Sequence, residues 1–159
     1  ESIMGPMGQV IFLQACPKSK EPPLPSASLR LIEGLGIEGD FHARPKSSRQ
    51  VLLMAEENCD AFGLAPGEVR ENITTRGLDL QNLPEGTVLE IGAAALVLTK
   101  DCEPCVFIER LRPGLRAQME RRRGMLARVV RSGEIRLGDE VRPAETILEV
   151  WGPHQDPPG

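Results

Sequence analysis

Two cysteines lie two residues apart in the stretch KDCEPCVFIER, residues 100–110, and thiols at this spacing can do several kinds of chemistry. The pair could form half of a zinc site, a redox dithiol, one reactive thiolate beside an inert neighbour, or two buried thiols with no chemical role. A structural zinc site needs four ligands in a closed tetrahedron. The other candidate ligands are scattered singly along the chain, at Cys16, Cys59, His42 and His154, which argues against zinc.

The position of the pair favours a single thiolate over a dithiol. A redox dithiol of the thioredoxin type lies within a βαβ pattern, whereas the sequence on both sides of this pair predicts β-hairpins. If Pro104 takes the first helical position, Cys105 lies in the first turn, where the positive end of the helix dipole favours the thiolate. Cys102 precedes the helix and gains less. The alternative, in which both thiols are small buried hydrophobic groups, stays open.

A glycine-rich turn, GIEGDFHA at residues 36–43, carries an acid and an imidazole. In an extended segment, Asp40 and His42 point to the same side, which suits a histidine oriented by its neighbour or a polar pocket wall. Such a pair is also common as a plain surface contact. The glycines of this turn let the backbone approach a partner closely.

A polar segment, RENITTRGLDL at residues 70–80, interrupts otherwise apolar strands. Its hydroxyl and amide groups can hydrogen-bond a phosphate, and Arg76 can clamp an anion. Alternatively, the same side chains serve only to stabilise a turn. The basic run ERRRG, residues 120–124, is typical of a solvated helix end.

Short strands must position these segments. Apolar or alternating runs predict strands in GQVIFLQ, SLRLIEG and QVLLMA, and a hairpin of TVLEIG with AALVLTK. In the second strand, Leu29 and Leu31 share one face. The block MLARVVRSGEIRLGDEV predicts a further hairpin, closed at Ser132 and Gly133.

Few helices are expected beside these strands. The run AEENCDAFG predicts a short helix that ends at a glycine, with Ala61 and Phe62 packed inward. After the cysteine pair, three apolar residues at four-residue intervals predict one buried stripe, which a proline divides between two short helices. These residues are Leu111, Leu115 and Met119. Because strands outnumber helices, the sequence predicts a mainly β, barrel-like fold with a few short helices.

Length and composition limit the class of protein. The 159 residues carry evenly spread turn signals, which predict one domain over residues 1–159, with a core at about 8–143 and a flexible tail at 152–159. A net charge of −4 argues against nucleic-acid binding. No apolar run reaches the roughly 20 residues that span a bilayer, and no signal segment opens the chain, so we expect a cytoplasmic protein without a membrane partner.

In their order along the chain, these motifs resemble those of the MOSC domain, named for the C-terminal domain of molybdenum-cofactor sulfurases. The resemblance covers residues 8 to 143, nearly the whole chain. Its most specific parts are the block ENITTRGLDL and the terminal GEIRLGDEV. The resemblance implies a β barrel-like fold, binding of a molybdenum cofactor (molybdopterin) or handling of sulfur, and one important cysteine. That cysteine belongs to a short Pro-Cys element, which matches Pro104 and Cys105 here.

The resemblance also implies a set of site residues. Cys105 either carries a persulfide sulfur or ligates molybdenum. The cofactor-binding positions carried over are Glu71, Asn72, Thr74, Thr75 and Arg76 from the polar block, and Gly39, Asp40 and His42 from the glycine turn. One departure concerns Arg70, because the family usually has glycine before the Glu-Asn pair.

Three functions are compatible with this resemblance. In the first, the protein is a sulfur carrier that accepts sulfane sulfur from a pyridoxal phosphate-dependent cysteine desulfurase or another donor and delivers it for metal-sulfur centres. In the second, Cys105 holds a molybdenum cofactor that reduces N-hydroxylated compounds, with electrons from a transfer partner. In the third, the barrel is a non-catalytic module that binds an anion or a partner and the cysteines are inert.

Overall fold

The computed structural model of the chain describes the backbone of residues 7–147 and the side chains of residues 7–144. Strands dominate the described part. They are β1 (Gly8–Ala15), β2 (Leu24–Pro25), β3 (Ser28–Ile32), β4 (Gly36–Ile37), β5 (Val51–Ala55), β6 (Ile73–Arg76), β7 (Thr87–Ile91), β8 (Ala94–Asp101), β9 (Met125–Arg131), β10 (Gly133–Arg136) and β11 (Glu140–Ile147). The helices are α1 (Glu56–Ala61), α2 (Val106–Leu111) and α3 (Leu115–Gln118), with a 3₁₀ turn at Leu80–Asn82. This confirms the mainly β prediction.

Seven strands close into a barrel. Their order is β11-β7-β8-β9-β5-β6-β1, and β1 returns to β11 with Gly8 opposite Val141. The neighbours are antiparallel except β5 and β6, which run parallel. The predicted hairpin of β7 and β8 is confirmed, with Val88 opposite Val97. Closure leaves the barrel without an unpaired edge.

Alternation along the strands separates an inner from an outer face. On β5, Val51 and Leu53 belong to the apolar core inside the barrel, whereas Met54 belongs to a separate cluster outside it. Leu52 also faces outward, because successive side chains of a strand point to opposite faces. It is only half-buried. The outer face of β5 is therefore covered near Met54 and open near Leu52.

A second sheet of three strands, in the order β10-β3-β4, packs against the barrel. Leu29 and Leu31 of β3 are buried in the main core while Arg30 is exposed, as the alternation predicted. The predicted hairpin at Ser132 and Gly133 is wrong, because β9 pairs with β8 and β5 while β10 pairs with β3.

Gly133 has a different role from the predicted turn. A Cβ at this position would lie 2.6 Å from the carbonyl carbon of Ala93 and 2.7 Å from the nitrogen of Ala94. The absence of a side chain thus lets the chain pass close to the start of β8 as it leaves the barrel for the second sheet.

The three helices cover the outer face of the barrel beside Met54. Their buried side chains form one cluster with that methionine, and the members from the helices and the segments after them include Cys59, Phe62, Ile108, Leu115 and Met119. The break predicted at Pro113 is present, since α2 ends at Leu111 and α3 begins at Leu115.

Two inward positions were predicted wrongly. Ala61 is exposed, because Cys59 is the residue of α1 that faces the barrel. Leu111 is 37% exposed: the chain turns after it through Gly114, which has a φ of +86°, so the second helix does not continue the stripe of the first. Ile108 takes the inward place.

Residues 7–147 include no helix long and apolar enough to cross a membrane. The single domain with a core at 8–143 stays a prediction. The predicted flexible tail, 152–159, lies outside the described residues.

The close approach at Gly133 can be tested by replacement. We expect Gly133→Ala to lower the free energy of unfolding by about 3 kcal/mol, because the methyl group overpacks a backbone that has no room to move. Gly138→Ala is the matched control, since open space surrounds it and only its φ of +91° is unfavourable, which costs about 1 kcal/mol. Urea unfolding of both variants measures the difference. Equal losses would contradict the close-approach role.

Candidate functional site

The glycine turn is fastened to the barrel by a buried carboxylate. Asp40 accepts hydrogen bonds from the backbone N–H of Cys16 at 2.7 Å and of His42 at 3.0 Å, and its Oδ2 lies 3.0 Å from His42 Nδ1. Burial raises the pKa of Asp40, but the bonds from the His42 ring and the two N–H groups outweigh it, so the pKa lies below its ordinary value. Asp40 thereby orients the half-exposed His42 ring, as the sequence predicted, and leaves Nε2 for other contacts.

The side-chain amide of Asn72 joins three segments of this region. Its Oδ1 accepts from the Leu52 N–H at 3.0 Å, and its Nδ2 donates to the Gln14 carbonyl at 3.2 Å and to Asp40 Oδ1 at 3.4 Å. An amide is required here, because one end must accept and the other must donate. The glycine turn, β1 and β5 are thereby fixed relative to one another.

Glu71 and Thr74 stabilise the loop before β6. Glu71 Oε2 accepts from the Gly67 N–H and the Thr74 hydroxyl, both at 2.8 Å. Gln14 Nε2 donates to the carbonyls of Gly67 and Glu71. Glu71 Oε1 is buried without a hydrogen-bond partner among the described residues. These contacts give Glu71 and Thr74 a structural task, and they leave one carboxylate oxygen unused.

Arg70 occupies the position where the family usually has glycine. Its φ of +68° lies in the left-handed region, which glycine adopts without strain. Its guanidinium Nη2 donates to Cys16 Sγ at 3.2 Å and to the Glu21 carbonyl at 2.8 Å, and its Cζ lies 5.8 Å from the centre of the Phe107 ring. Arg70 therefore links the loop after β1 to helix α2, two residues from Cys105.

Cys105 is exposed and stands at the beginning of α2. It is the N-cap residue, with extended backbone angles (φ −120°, ψ −176°) and no side-chain capping bond. The prediction that placed Pro104 at the first helical position is wrong: the helix begins at Val106, because Cys105 itself is extended. The thiol is therefore accessible at the helix end but not within the first turn.

Cys102 lies close to Cys105 on the strand side. Its N–H donates to the Gly124 carbonyl at 2.8 Å, and its side chain is half-buried. Burial raises the pKa of the Cys102 thiol, and the positive charges of Arg123 and Arg49 partly offset that rise. The nearby Cys105 raises it slightly further.

Arg123 is the residue of the ERRRG run that the sequence placed wrongly. It is only 5% exposed, and its Nε and Nη1 are buried without hydrogen-bond partners among the described residues. The prediction of a solvated helix end fails because Gly124 lies directly against β5, where a Cβ would collide with the Leu53 carbonyl oxygen. The close approach of Gly124 draws the preceding arginine into the protein.

Leu52 lies between the two groups of polar residues. On one side, its N–H is held by Asn72. On the other side, its Cδ1 would lie 3.3 Å from a Cβ on Gly124, the residue next to Arg123. The half-exposed Leu52 side chain therefore lies between these two groups, and we call the outer face around it the Leu52 surface. Asn72, bonded to Asp40, lies on one side of it. Gly124, which follows Arg123 and accepts from Cys102, lies on the other, and Cys105 comes three residues after Cys102.

Three predicted site residues lie away from this surface. Thr75 points to the barrel interior, as Ile73 does, and its buried hydroxyl has no hydrogen-bond partner among the described residues. Arg76 lies about 13 Å along the strand from Asn72, is exposed, and binds Glu56 through two bonds of 2.7 and 3.0 Å. Gly39 has a φ of +83° and open space around it, which suits a turn residue.

The sequence profile of the MOSC domain matches residues 38–142, which is well over half of the chain. The chain belongs to the MOSC domain family. Among curated proteins, none matches the sequence significantly.

Solved structures show the same MOSC fold. YuaD from Bacillus subtilis has a TM-score of 0.74 at 23% identity and covers 85% of this chain and 94% of its own. YiiM from Geobacillus stearothermophilus has a TM-score of 0.68 at 18% identity, covering 87% and 75%. YiiM from Escherichia coli has a TM-score of 0.63 at 18% identity, covering 87% and 71%.

Several residues that build the Leu52 surface of this MOSC domain were missed from the sequence. Gln50 was assigned only to a strand, yet its amide binds the carbonyls of Gly34 and Arg44 and the Val129 N–H, holding the glycine loop on the barrel. The sequence signal that could have identified Gln50 is its position as a polar residue at the start of an apolar run. Nothing in the spacing marked Leu52 or Phe107.

The arrangement combines an accessible thiol, a cationic flank and an oriented imidazole. Within residues 7–144, no group of three or more His, Cys, Asp or Glu side chains could hold a metal ion by itself. A metal at this surface would therefore need ligands from beyond the described residues. An exposed sulfur near a thiol on which a buried cation acts suits nucleophilic attack on, or exchange with, a soft electrophile.

The bonds to Asp40 can be tested through the pH dependence of stability. Because the folded pKa is depressed, the stabilisation is complete above the ordinary value of 3.8 and is lost as the pH falls through the lower, folded value. We expect Asp40→Ala to cost about 2 kcal/mol at pH 7 and much less in acid, since two N–H groups lose their acceptor. Urea unfolding from neutral to acid pH measures this. Glu38→Ala, at an exposed acid of the same turn, is the control; a pH-independent loss at Asp40 would contradict the account.

The order of thiol alkylation tests the placement of the cysteines. Burial, with Glu71 and other acids, raises the pKa of Cys59 to about 12, so this thiol stays protonated and shielded. We expect iodoacetamide at neutral pH to label Cys105 first, Cys102 more slowly, and Cys59 only after denaturation. Peptide mapping by mass spectrometry reads the order. Labelling of Cys59 at the rate of Cys105 would contradict the described burial.

Proposed function

We propose that this MOSC protein is a sulfur carrier in which Cys105 accepts and delivers sulfane sulfur. The observation that supports the proposal is the accessible Cys105 thiol, which lies near Cys102, the thiol on which the buried Arg123 cation acts. The other two cysteines of the chain are buried. Cys105 is thus the thiol with which a donor can make contact.

Each residue around Cys105 has a separate role in the proposed sulfur transfer. The Cys105 thiolate attacks the outer sulfur of the donor's S–S bond and forms a new S–S bond. The donor's bond breaks, its electron pair leaves with the donor's remaining sulfur, and Cys105 becomes a persulfide. The charges of Arg123 and Arg49 stabilise negative charge on this side of the surface, as they do for Cys102. The apolar side chain of Leu52 limits the access of water to the bound sulfur. The proposal includes a separate sulfur donor, either a cysteine desulfurase or another donor, and a cytoplasmic setting.

The donor set also fits the molybdenum cofactor that the family name implies. A thiolate is a soft ligand of the kind that transition metals bind, and Cys105 is the exposed thiol that would hold the metal while the pterin supplies its other ligands. The cofactor would supply redox chemistry. The chain would bind it on the Leu52 surface, with His42 held by Asp40 as a polar group beside it.

This fit favours a second candidate, a molybdenum-dependent reductase of N-hydroxylated compounds. In that case Cys105 is a metal ligand, and a partner protein supplies electrons. The two functions need the same sulfur and differ in what it carries after purification.

The proposal is tested on protein purified from a host that makes the cofactor. We expect intact-mass analysis to show an added mass of about 32 Da, one sulfur atom, that dithiothreitol removes and that Cys105→Ser abolishes. Cys59→Ser, at the buried thiol, is the matched control and should keep the adduct. The same sample is assayed for molybdenum and pterin.

The results separate the functions. Stoichiometric molybdenum and pterin without the adduct would contradict the carrier and support the reductase. If neither the sulfur adduct nor the cofactor is found, and ligand binding is unchanged in Cys105→Ser, the carrier and the reductase are both contradicted. A non-catalytic binding module then remains.

A further inference from the structure

The guanidinium of Arg123 is buried, and the described residues leave part of its hydrogen-bonding capacity unused. Two of its nitrogens, Nε and Nη1, are enclosed without a hydrogen-bond partner among the described residues, and the side chain is 95% buried, with 5% of its surface exposed. Leaving a buried charge unpaired is costly to stability. Groups that carry such a cost are concentrated at functional sites, where a ligand supplies the missing partner.

The position of Arg123 points to the cysteine pair. Its neighbour Gly124 accepts the N–H of Cys102 at 2.8 Å, and the guanidinium is the cation that acts most strongly on the Cys102 thiol. Arg49 adds a second positive charge, and both act on Cys102 more strongly than the acid Asp101 does. An anion that satisfied Arg123 would therefore lie beside the two sulfurs.

We propose that Arg123 forms, beside Cys102 and Cys105, a subsite for a tetrahedral oxyanion, and that the ligands are thiosulfonates, of which thiosulfate is the simplest. The proposal rests on the sulfur-carrier function and names its donor. Arginine holds oxyanions through charge-assisted N–H bonds, and Nε and Nη1 each carry an N–H that no described residue accepts. A thiosulfonate carries its transferable sulfur one bond from the oxyanion, which matches the short separation between the cation and the thiols.

The transfer is balanced without a further reactant. The Cys105 thiolate attacks the outer sulfur of thiosulfate and forms a new S–S bond. The original S–S bond breaks, and its electron pair leaves with sulfite, which Arg123 stabilises as the charge develops. The products are the Cys105 persulfide anion and one sulfite.

The test follows persulfide formation and sulfite release with thiosulfate as the probe. We expect the wild type to gain about 32 Da at Cys105, to release sulfite in equal amount, and to saturate with thiosulfate. Arg123→Gln should raise the half-saturating concentration about tenfold or more, because charge-assisted contacts are lost, and Arg123→Lys should be intermediate. Arg122→Gln, at the exposed neighbouring arginine, is the matched control and should match the wild type.

Thermal unfolding separates this role from a structural one. Because two guanidinium nitrogens have no partner among the described residues, Arg123→Gln should not lower the melting temperature. At equal concentration, thiosulfate should raise the melting temperature of the wild type more than that of the variant. A second experiment uses the wild type alone, with inorganic phosphate as a competitor, and phosphate should reduce the binding of thiosulfate. This experiment does not depend on the folding of the variant.

The outcomes distinguish this inference from the proposed function. Loading of Cys105 by polysulfide, with no loading by thiosulfate or equal loading in Arg123→Gln, would overturn the thiosulfonate subsite and leave the carrier intact. Failure of every donor to load Cys105 would overturn both. Protection of the wild type by phosphate, with no sulfur transfer from thiosulfate, would overturn the thiosulfonate assignment in favour of a phosphate ligand.

Discussion

The closure of the barrel is the constraint on which the rest of the structure depends. Once β1 has paired with both β6 and β11, the inner face is filled with aliphatic side chains such as Leu53, Ile73 and Leu98, as the interior of a small barrel must be. Polar chemistry is thereby confined to the outer face and the loops. The helices cover part of that face, and the Leu52 surface is one of the parts left open.

The loops around the Leu52 surface are held in place by a network of polar side chains and not by apolar packing. Asn72 and Asp40 join the glycine turn to two strands by hydrogen bonds. The amide of Gln50 binds the carbonyls of Gly34 and Arg44, on either side of the turn. The satisfied polar groups of this network hold the loops rigidly. A buried polar group without a partner is costly to stability, and Arg123 is such a group among the described residues. The anion-binding proposal rests on these rigid loops together with a cation that lacks partners among the described residues.

Local patterns allowed much of the fold to be predicted from the sequence, and the failures have physical causes. Alternation placed Leu29 and Leu31 correctly, because strand faces depend on neighbouring residues. The hairpin at Gly133 failed because a glycine that permits close approach looks the same in sequence as one that permits a turn. Asp40 with His42 was found by local spacing, whereas the burial of Arg123 depends on a contact between Gly124 and the distant Leu53, which no local pattern contains.

The central claim is that anionic ligands bind on the outer wall of the barrel at the Leu52 surface. The most direct measurement is a titration of nitrogen-15-labelled protein with thiosulfate, followed by amide chemical shifts. The account predicts saturable shifts at the amides of Leu52, Cys102 and Gly124, which in Arg123→Gln require thiosulfate at about tenfold higher concentration or more. Shifts confined to other parts of the chain, such as the turn at Gly92, or equal shifts in the variant, would contradict it.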